Sequence, residues 1–449
     1  MSAQVTRSNK EFSPYVMRGE DLQVPLVSVQ DLLNRTVSGR GVREDDEEDE
    51  KPILLHAASK DEQQATAPDI TPLDTLSSPL PLRRSPRIPR PVYAFDSSLN
   101  AKQRKKLKSR IRYRANRRER RETEQEERGS ALKADVCNSA EGMDGARLPY
   151  DPNVYTLAEM LGIPGMTKVA CSNIRETRHL KVGDEHRIGV LMGWPDDEWP
   201  QVMEGVGIAQ RRAHSSLRYT QKMCSGRRGK FPAISFGMSY GGGQTQPMML
   251  AHSDHNTHIL EEFRSDPNVQ RVVRSQEYAM QAHFSKLHAL YTRVLDRLIA
   301  DEELGLSRNF PRTCFAAATL NAGRTVTLKH VDHLNLFCGM CAVFNIGDFD
   351  PRVGGHLVLW DLGLIIEFPP GCTILFPSAL LAHSNIPIGL GESRASLTQF
   401  TAAGLFRWVH NGGMSNADYW EAASVRQRKA WLQHREKLPD MGLDMLPVD

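Results

Sequence analysis

The aromatic side chains are spread so unevenly along the 449 residues that one uniform fold is excluded. The first Trp is Trp194, and ahead of residue 140 stand only Phe12, Tyr15, Tyr93, Phe95 and Tyr113. A stretch with so little to bury cannot offset the entropy of ordering itself. It also carries seven consecutive acids, Glu44 to Glu50, and a proline-rich basic run from Pro79 to Pro91, PLPLRRSPRIPRP, that favours extended backbone. Residues 1–100 are therefore expected to form a disordered tail.

The chain holds 57 Lys plus Arg against 54 Asp plus Glu, a net charge of +3, which excludes a uniformly basic protein. The charge is segregated instead. In AKQRKKLKSRIRYRANRRERR, residues 101–121, Glu119 is the only acid among the many Lys and Arg, and neither Pro nor Gly interrupts a helix. Such density suits phosphate contact through counterion release, or nuclear import, and the residues leave that choice open. The plainer alternative is a solvated charged helix that pairs with the acids following it. Nuclear localisation and a nucleic-acid partner, DNA above all, are the expectations drawn from residues 102–121.

No run approaches the roughly 18 apolar residues a membrane helix needs, and the N-terminus lacks a signal-peptide core, so a soluble intracellular protein is expected. The seven cysteines do not form a secreted disulfide framework. Cys338 and Cys341 make a lone C-x-x-C without a second pair to complete a zinc site, and read as buried small residues.

From about Leu148 the composition is that of a folded domain. Asp266 to Leu304 repeats apolar residues at threes and fours and predicts one long helix or two. After Pro311 come short apolar runs broken by Gly and Pro: CFAAATLN, TVTLKHVD, CAVFNIG, HLVLWDL, LIIEF, CTILFPS and ASLTQFTA, the pattern of a β-sandwich or barrel. The expected organisation is a tail over 1–100, a basic helix over 101–130, a mixed support region over 145–310, a β core over 311–413 and a C-terminal helix and tail over 414–449.

Chemistry concentrates in the β core. His330 and Asp332 form an H-x-D, and strand alternation puts such a pair on one face. His383 follows CTILFPSALLA, and Arg394 heads the next strand. Two imidazoles and one carboxylate make the facial triad that holds Fe(II) and leaves three positions open, two for a 2-oxo acid and one for dioxygen. A guanidinium at Arg394 matches the acid's carboxylate bidentately. Order and spacing fit a double-stranded β-helix. A second H-x-D, His252 and Asp254, has no following strand pattern with His and Arg, and reads as structural. His356, with Glu367 rather than Arg at the matching offset, reads as a strand histidine, as do His333 and His410.

The block from LKHVDHLN to FRWVHNGG resembles the 2-oxoglutarate and Fe(II)-dependent dioxygenases, in particular the expanded basidiomycete TET/JBP-like group. The likeness is good from about Phe231 to Gly413 and weaker back to about residue 150. It implies an α+β protein with a double-stranded β-helix (jelly-roll, cupin-like) core flanked by helices. Fe(II) would be held by His330, Asp332 and His383, with 2-oxoglutarate on Arg394 and dioxygen as co-substrate. It implies oxidation of the methyl group of 5-methylcytosine or thymine in DNA, with Asn335 touching the target base and Arg324 adding charge near the co-substrate. The cysteine-rich zinc region that precedes the animal catalytic domains is absent. The same core also serves hydroxylases of protein side chains or small molecules, and a third reading is an inert nucleic-acid-binding or mobile-element-associated protein.

Overall fold

A computed structural model describes residues 4–5, 11–12, 17–24, 27–38, 143–183, 186–241 and 243–448. The acidic tract, the proline-rich run and the basic segment 101–130 lie outside these residues. Everything below concerns the unit formed by the described residues.

The chain is a mixed α and β protein built on a ten-stranded sheet and a four-stranded one. In the large sheet the strands Glu176–Val182, His186–Met192, Thr373–Phe376, Cys341–Asp348, Ser393–Phe400, Ala317–Asn321 and Ala233–Ser239 follow one another in space. Neighbours pair antiparallel throughout this series. The small sheet runs His383–Asn385, Leu357–Leu359, Leu364–Ile366 and Thr167–Val169. The run TVTLKHVD forms no strand of its own. It joins the small sheet through one bridge, His330 opposite His383.

Alternation sorts the side chains of the large sheet. Ala318, Leu320, Phe344, Ile346, Ala395 and Leu397 pack with Trp199, Val206, Phe263, Val269 and Val273 from the helices Trp199–Ser216, Asp254–Ser265 and Pro267–His283. One face is thus covered by helices. The opposite face carries Thr319, Cys341, Arg394, Ser396 and Thr398, and there the polar residues gather. The expected helical stretch is two helices, Pro267–His283 and Ser285–Ile299, parted at Phe284 and started by Asp266, whose Oδ1 accepts from the amides of Asn268 and Val269.

Two expectations about organisation are corrected. Residues 17–38 do not belong to a structureless tail: Leu22–Val24 pairs in parallel with Leu180 to Val182, and Val29–Ser38 buries Val29, Leu32 and Leu33 in the main core. An amphipathic aliphatic helix does this without aromatics. The support region and the β core share one sheet, because Ala233–Ser239 pairs with Ala317–Asn321 and His186–Met192 with Thr373–Phe376. The C-terminal stretch is three helices, Asn416–Ala422, Val425–Glu436 and Leu438–Met445, anchored by the buried Trp431 and Leu438. Among the described residues no helix is long and apolar enough to cross a membrane.

Candidate metal centre and cleft

His330 and His383 face each other across their bridge, each backbone N–H donating to the other's carbonyl at 3.0 and 2.8 Å. Their rings are 4.2 Å apart, and Phe376 sets its edge against His383 at 4.9 Å. Each Nδ1 is tied to the carbonyl two residues earlier, His330 to Leu328 at 2.7 Å and His383 to Leu381 at 2.9 Å. A carbonyl only accepts, so each Nδ1 carries the proton and each Nε2 presents a lone pair. Those lone pairs meet the Asp332 carboxylate, 3.7 Å from His330 to Oδ1 and 3.9 Å from His383 to Oδ2. Both gaps are too wide for hydrogen bonds. Three electron-pair donors, all within 4.8 Å of one another, converge with no proton to share. That arrangement calls for a cation.

Burial sets the protonation of the histidines. It holds His383 below its ordinary value, and it holds His330 well below, with His383 adding to the effect. Burial would raise the Asp332 carboxyl, but His383, His330 and Arg228 beside it outweigh that and hold it at about 2. The centre offers two neutral imidazoles and a carboxylate, the donor set of a hard or borderline divalent ion.

Arg394 stands at the head of its strand, 4 % exposed. Its Nη1 donates to the Thr325 carbonyl at 3.3 Å, and its buried Nε has no partner. Burial alone draws its pKa down to about 10, with no acid to counter it. A buried, uncompensated guanidinium is costly, and a carboxylate ligand is what it lacks. Its place is fixed by Gly347 on the neighbouring strand, where φ is 149° and a Cβ would come within 2.3 Å of the Ser393 carbonyl. Thr325, whose amide donates to the Arg394 carbonyl, opens the segment that leads to His330.

Asp332 lines a cleft of about 340 Å³ over the polar face of the large sheet, with Thr319, Thr398, Phe400, His333 and Asn335. Lys222, Arg227 and Arg228 add three cations to its wall. Arg227 donates to the Val331 carbonyl at 3.1 Å and so braces the H-x-D turn, while Arg228 stands 3.9 Å from Asp332. The sequence reading missed this wall, although the cluster GRRGK was its visible signal.

His330, Asp332 and His383 are brought together as the spacing predicted. Asn335 reaches the cleft wall 7 % exposed, but its amide donates to Cys341 Sγ at 3.2 Å and Ser378 Oγ at 3.4 Å. Burial, and then Asp332, push the Cys341 thiol far above its usual range, so it stays protonated. Arg324 is exposed and donates to the carbonyls of Glu392 and Ile388, so its fork braces a loop. His252 lines the cleft, whereas Asp254 opens a helix capped by Ser253, so these two form no ligand pair. His356 is buried beside the Lys168–Glu367 pair, and His410 stacks on His434.

No family model matches the chain, and no curated protein does. Similar solved structures include NgTET1 in complex with 5mC DNA, 14% identical over 53% of this chain and 83% of that one, TM-score 0.35. An oxidoreductase of the 2OG-Fe(II) oxygenase family from Burkholderia pseudomallei is 15% identical over 46% and 89%, TM-score 0.25. The viral collagen prolyl hydroxylase of Paramecium Bursaria Chlorella virus-1, in its 2OG complex, is 13% identical over 19% and 57%, TM-score 0.17.

Proposed function

We propose that the chain is an Fe(II)- and 2-oxoglutarate-dependent dioxygenase that oxidises the methyl group of a modified base, 5-methylcytosine or thymine, in DNA. The observation that carries the enzyme reading is the convergence of two proton-free Nε2 atoms and one carboxylate with no donor among them. The strand order supports it: Thr373–Phe376, Cys341–Asp348, Ser393–Phe400 and Ala317–Asn321 lie side by side in one sheet, and the His330 bridge, His383–Asn385, Leu357–Leu359 and Leu364–Ile366 in the other. In this reading the two sets of strands form a double-stranded β-helix, with 311–413 as its core.

In this reading His330, Asp332 and His383 hold Fe(II), and Arg394 takes the distal carboxylate of 2-oxoglutarate. The loaded centre supplies the chemistry, in which 2-oxoglutarate and dioxygen yield succinate, carbon dioxide and a hydroxylated C–H. The protein's own part is orientation: the Leu328 and Leu381 carbonyls keep both imidazoles in the ligating tautomer, and the buried Arg394 fixes the co-substrate's direction. Lys222, Arg227 and Arg228 favour a polyanion at the cleft, and phosphate contacts there offset the few kcal/mol that base flipping costs. In this reading residues 102–121 serve either further phosphate contact or nuclear import.

The test is to incubate the full chain with Fe(II), 2-oxoglutarate and methylated DNA and to analyse nucleosides by mass spectrometry. Oxidised bases with matching succinate are expected. Succinate without oxidised bases would move the substrate to a protein side chain or small molecule, and neither product would refute the enzyme reading.

A further inference from the structure

A second concavity, of about 400 Å³, lies on the helix-covered side of the large sheet. Its wall is made by Gln270, Val273 and Arg274 of the helix Pro267–His283 and by the turn Phe310, Pro311 and Arg312. Val273 and Phe310 are buried against that sheet face, where Phe310 meets Phe236 edge to face at 6.0 Å. Ser235, the neighbour of Phe236 in its strand, lines the Asp332 cleft, so the sheet separates the two sites. Two guanidiniums and no acid stand on this wall. Arg274 uses its Nε on the Gln270 carbonyl at 3.2 Å, and its terminal nitrogens, like the whole Arg312 head, pair with no acid among the described residues. Arg312 has a φ of 65°, and among the described residues every other positive φ belongs to glycine. A side chain there costs energy that glycine would not. The turn is held in this shape from both ends, by Arg264 Nη1 donating to the Asn309 carbonyl at 3.2 Å and by Arg308 Nη1 donating to the Thr313 carbonyl at 2.6 Å. Backbone strain over-determined by its surroundings gathers at ligand clamps.

We propose that this concavity binds a small organic anion, whose phosphate or carboxylate is held jointly by Arg274 and Arg312. Each guanidinium presents parallel N–H donors that match two oxygens of such a group, and both are left without an acid to neutralise them. The concavity has room for more than an oxyanion, and Val273, Phe310 and Pro311 offer the rest of the ligand no polar side chain. An apolar body therefore suits it. The site shares no residue with the Asp332 cleft and stands whether or not the Fe(II) reading does.

The experiment is a calorimetric titration of the full-length chain with phenyl phosphate, with inorganic phosphate and phenol as controls, for wild type, Arg274→Gln, Arg312→Gly and Arg228→Ala. Wild type should bind phenyl phosphate saturably and more tightly than either control. Loss of a charge-assisted partner should weaken that binding about tenfold or more in Arg274→Gln and in Arg312→Gly. Arg312→Gly should melt at or above wild type, because the relieved strain outweighs the freedom that glycine adds to the unfolded chain, so its loss of binding is not a loss of folding. Arg228→Ala, altered on the wall of the other cleft, should bind the probe as wild type does. No saturable binding in wild type, or affinity kept within about twofold in both Arg274→Gln and Arg312→Gly, overturns the proposal. An equal loss in Arg228→Ala also overturns it, by moving the probe to the Asp332 cleft.

Discussion

Among the described residues two clusters have the composition of a metal site, and one of them has its geometry. Glu277, His288 and Cys314 lie within 4.8 Å of one another, as do His330, Asp332 and His383. In the first, the Glu277 carboxylate is already satisfied: His288 Nε2 stands 2.6 Å from Oε1 and the Cys314 amide donates to Oε2 at 2.7 Å. Protons fill the space an ion would need. In the second, both Nδ1 protons are used on backbone carbonyls and nothing but lone pairs faces inward. What separates a ligand set from an ion pair is where the protons are, and backbone carbonyls decide that here.

The contrast can be broken by mutation, and the largest effect belongs to Asp332. Asp332→Ala should bring iron-dependent turnover to background while the melting temperature stays near wild type; full activity in that variant refutes the triad. Arg394→Ala comes next. Truncating one member of a buried charge pair costs about 2–5 kcal/mol, so the KM for 2-oxoglutarate should rise roughly 30-fold or more. Arg394→Lys should recover little of it, because the fork is lost. An unchanged KM would place the co-substrate elsewhere.

Glu277→Gln should sharpen the other side of the comparison. It leaves His288 and Cys314 poorly matched and should lower stability by about 1–3 kcal/mol in chemical denaturation, without changing metal content. A loss of bound metal in that variant would erase the distinction between the clusters.

A buried pair of another kind, His179 and His283, with ring nitrogens 3.2 Å apart, should govern acid stability. Burial and then Arg187 hold His179 at about 4. Burial, then His179 and Arg187, hold His283 at about 3. Both values lie below the ordinary 6.5, so the unfolded chain binds protons first. Their contribution is fully present above about pH 6.5 and is lost progressively as the pH falls toward 4 and 3. Urea midpoints should fall between pH 7 and pH 4.5, and His283→Gln should flatten the slope. The smallest effect concerns residues outside the described unit: excising 101–130 should weaken DNA binding and reduce its salt slope, and an unaltered slope would show the basic run to be no DNA contact.

The candidate metal site was legible because its residue types stand in a marked order and spacing along the chain. His330, Asp332, His383 and Arg394 needed only order and spacing, since the H-x-D lies on no strand and alternation did not place it. Of the cationic wall only the basic cluster GRRGK was legible, because Arg227 and Arg228 reach Asp332 through the antiparallel pairing of Ala233–Ser239 with Ala317–Asn321, a long-range contact. The same holds for Leu22–Val24, whose partner strand lies far along the chain. The hydrogen bonds of Asn335 depend on which way a buried amide turns. A sequence motif cannot state that.

The most direct measurement is an anaerobic Fe(II) titration of the full-length chain with 2-oxoglutarate present, counting bound iron per chain. The converging lone pairs predict one Fe(II), lost in Asp332→Ala and kept in Glu277→Gln. No uptake, or uptake that survives Asp332→Ala, would contradict the metal centre.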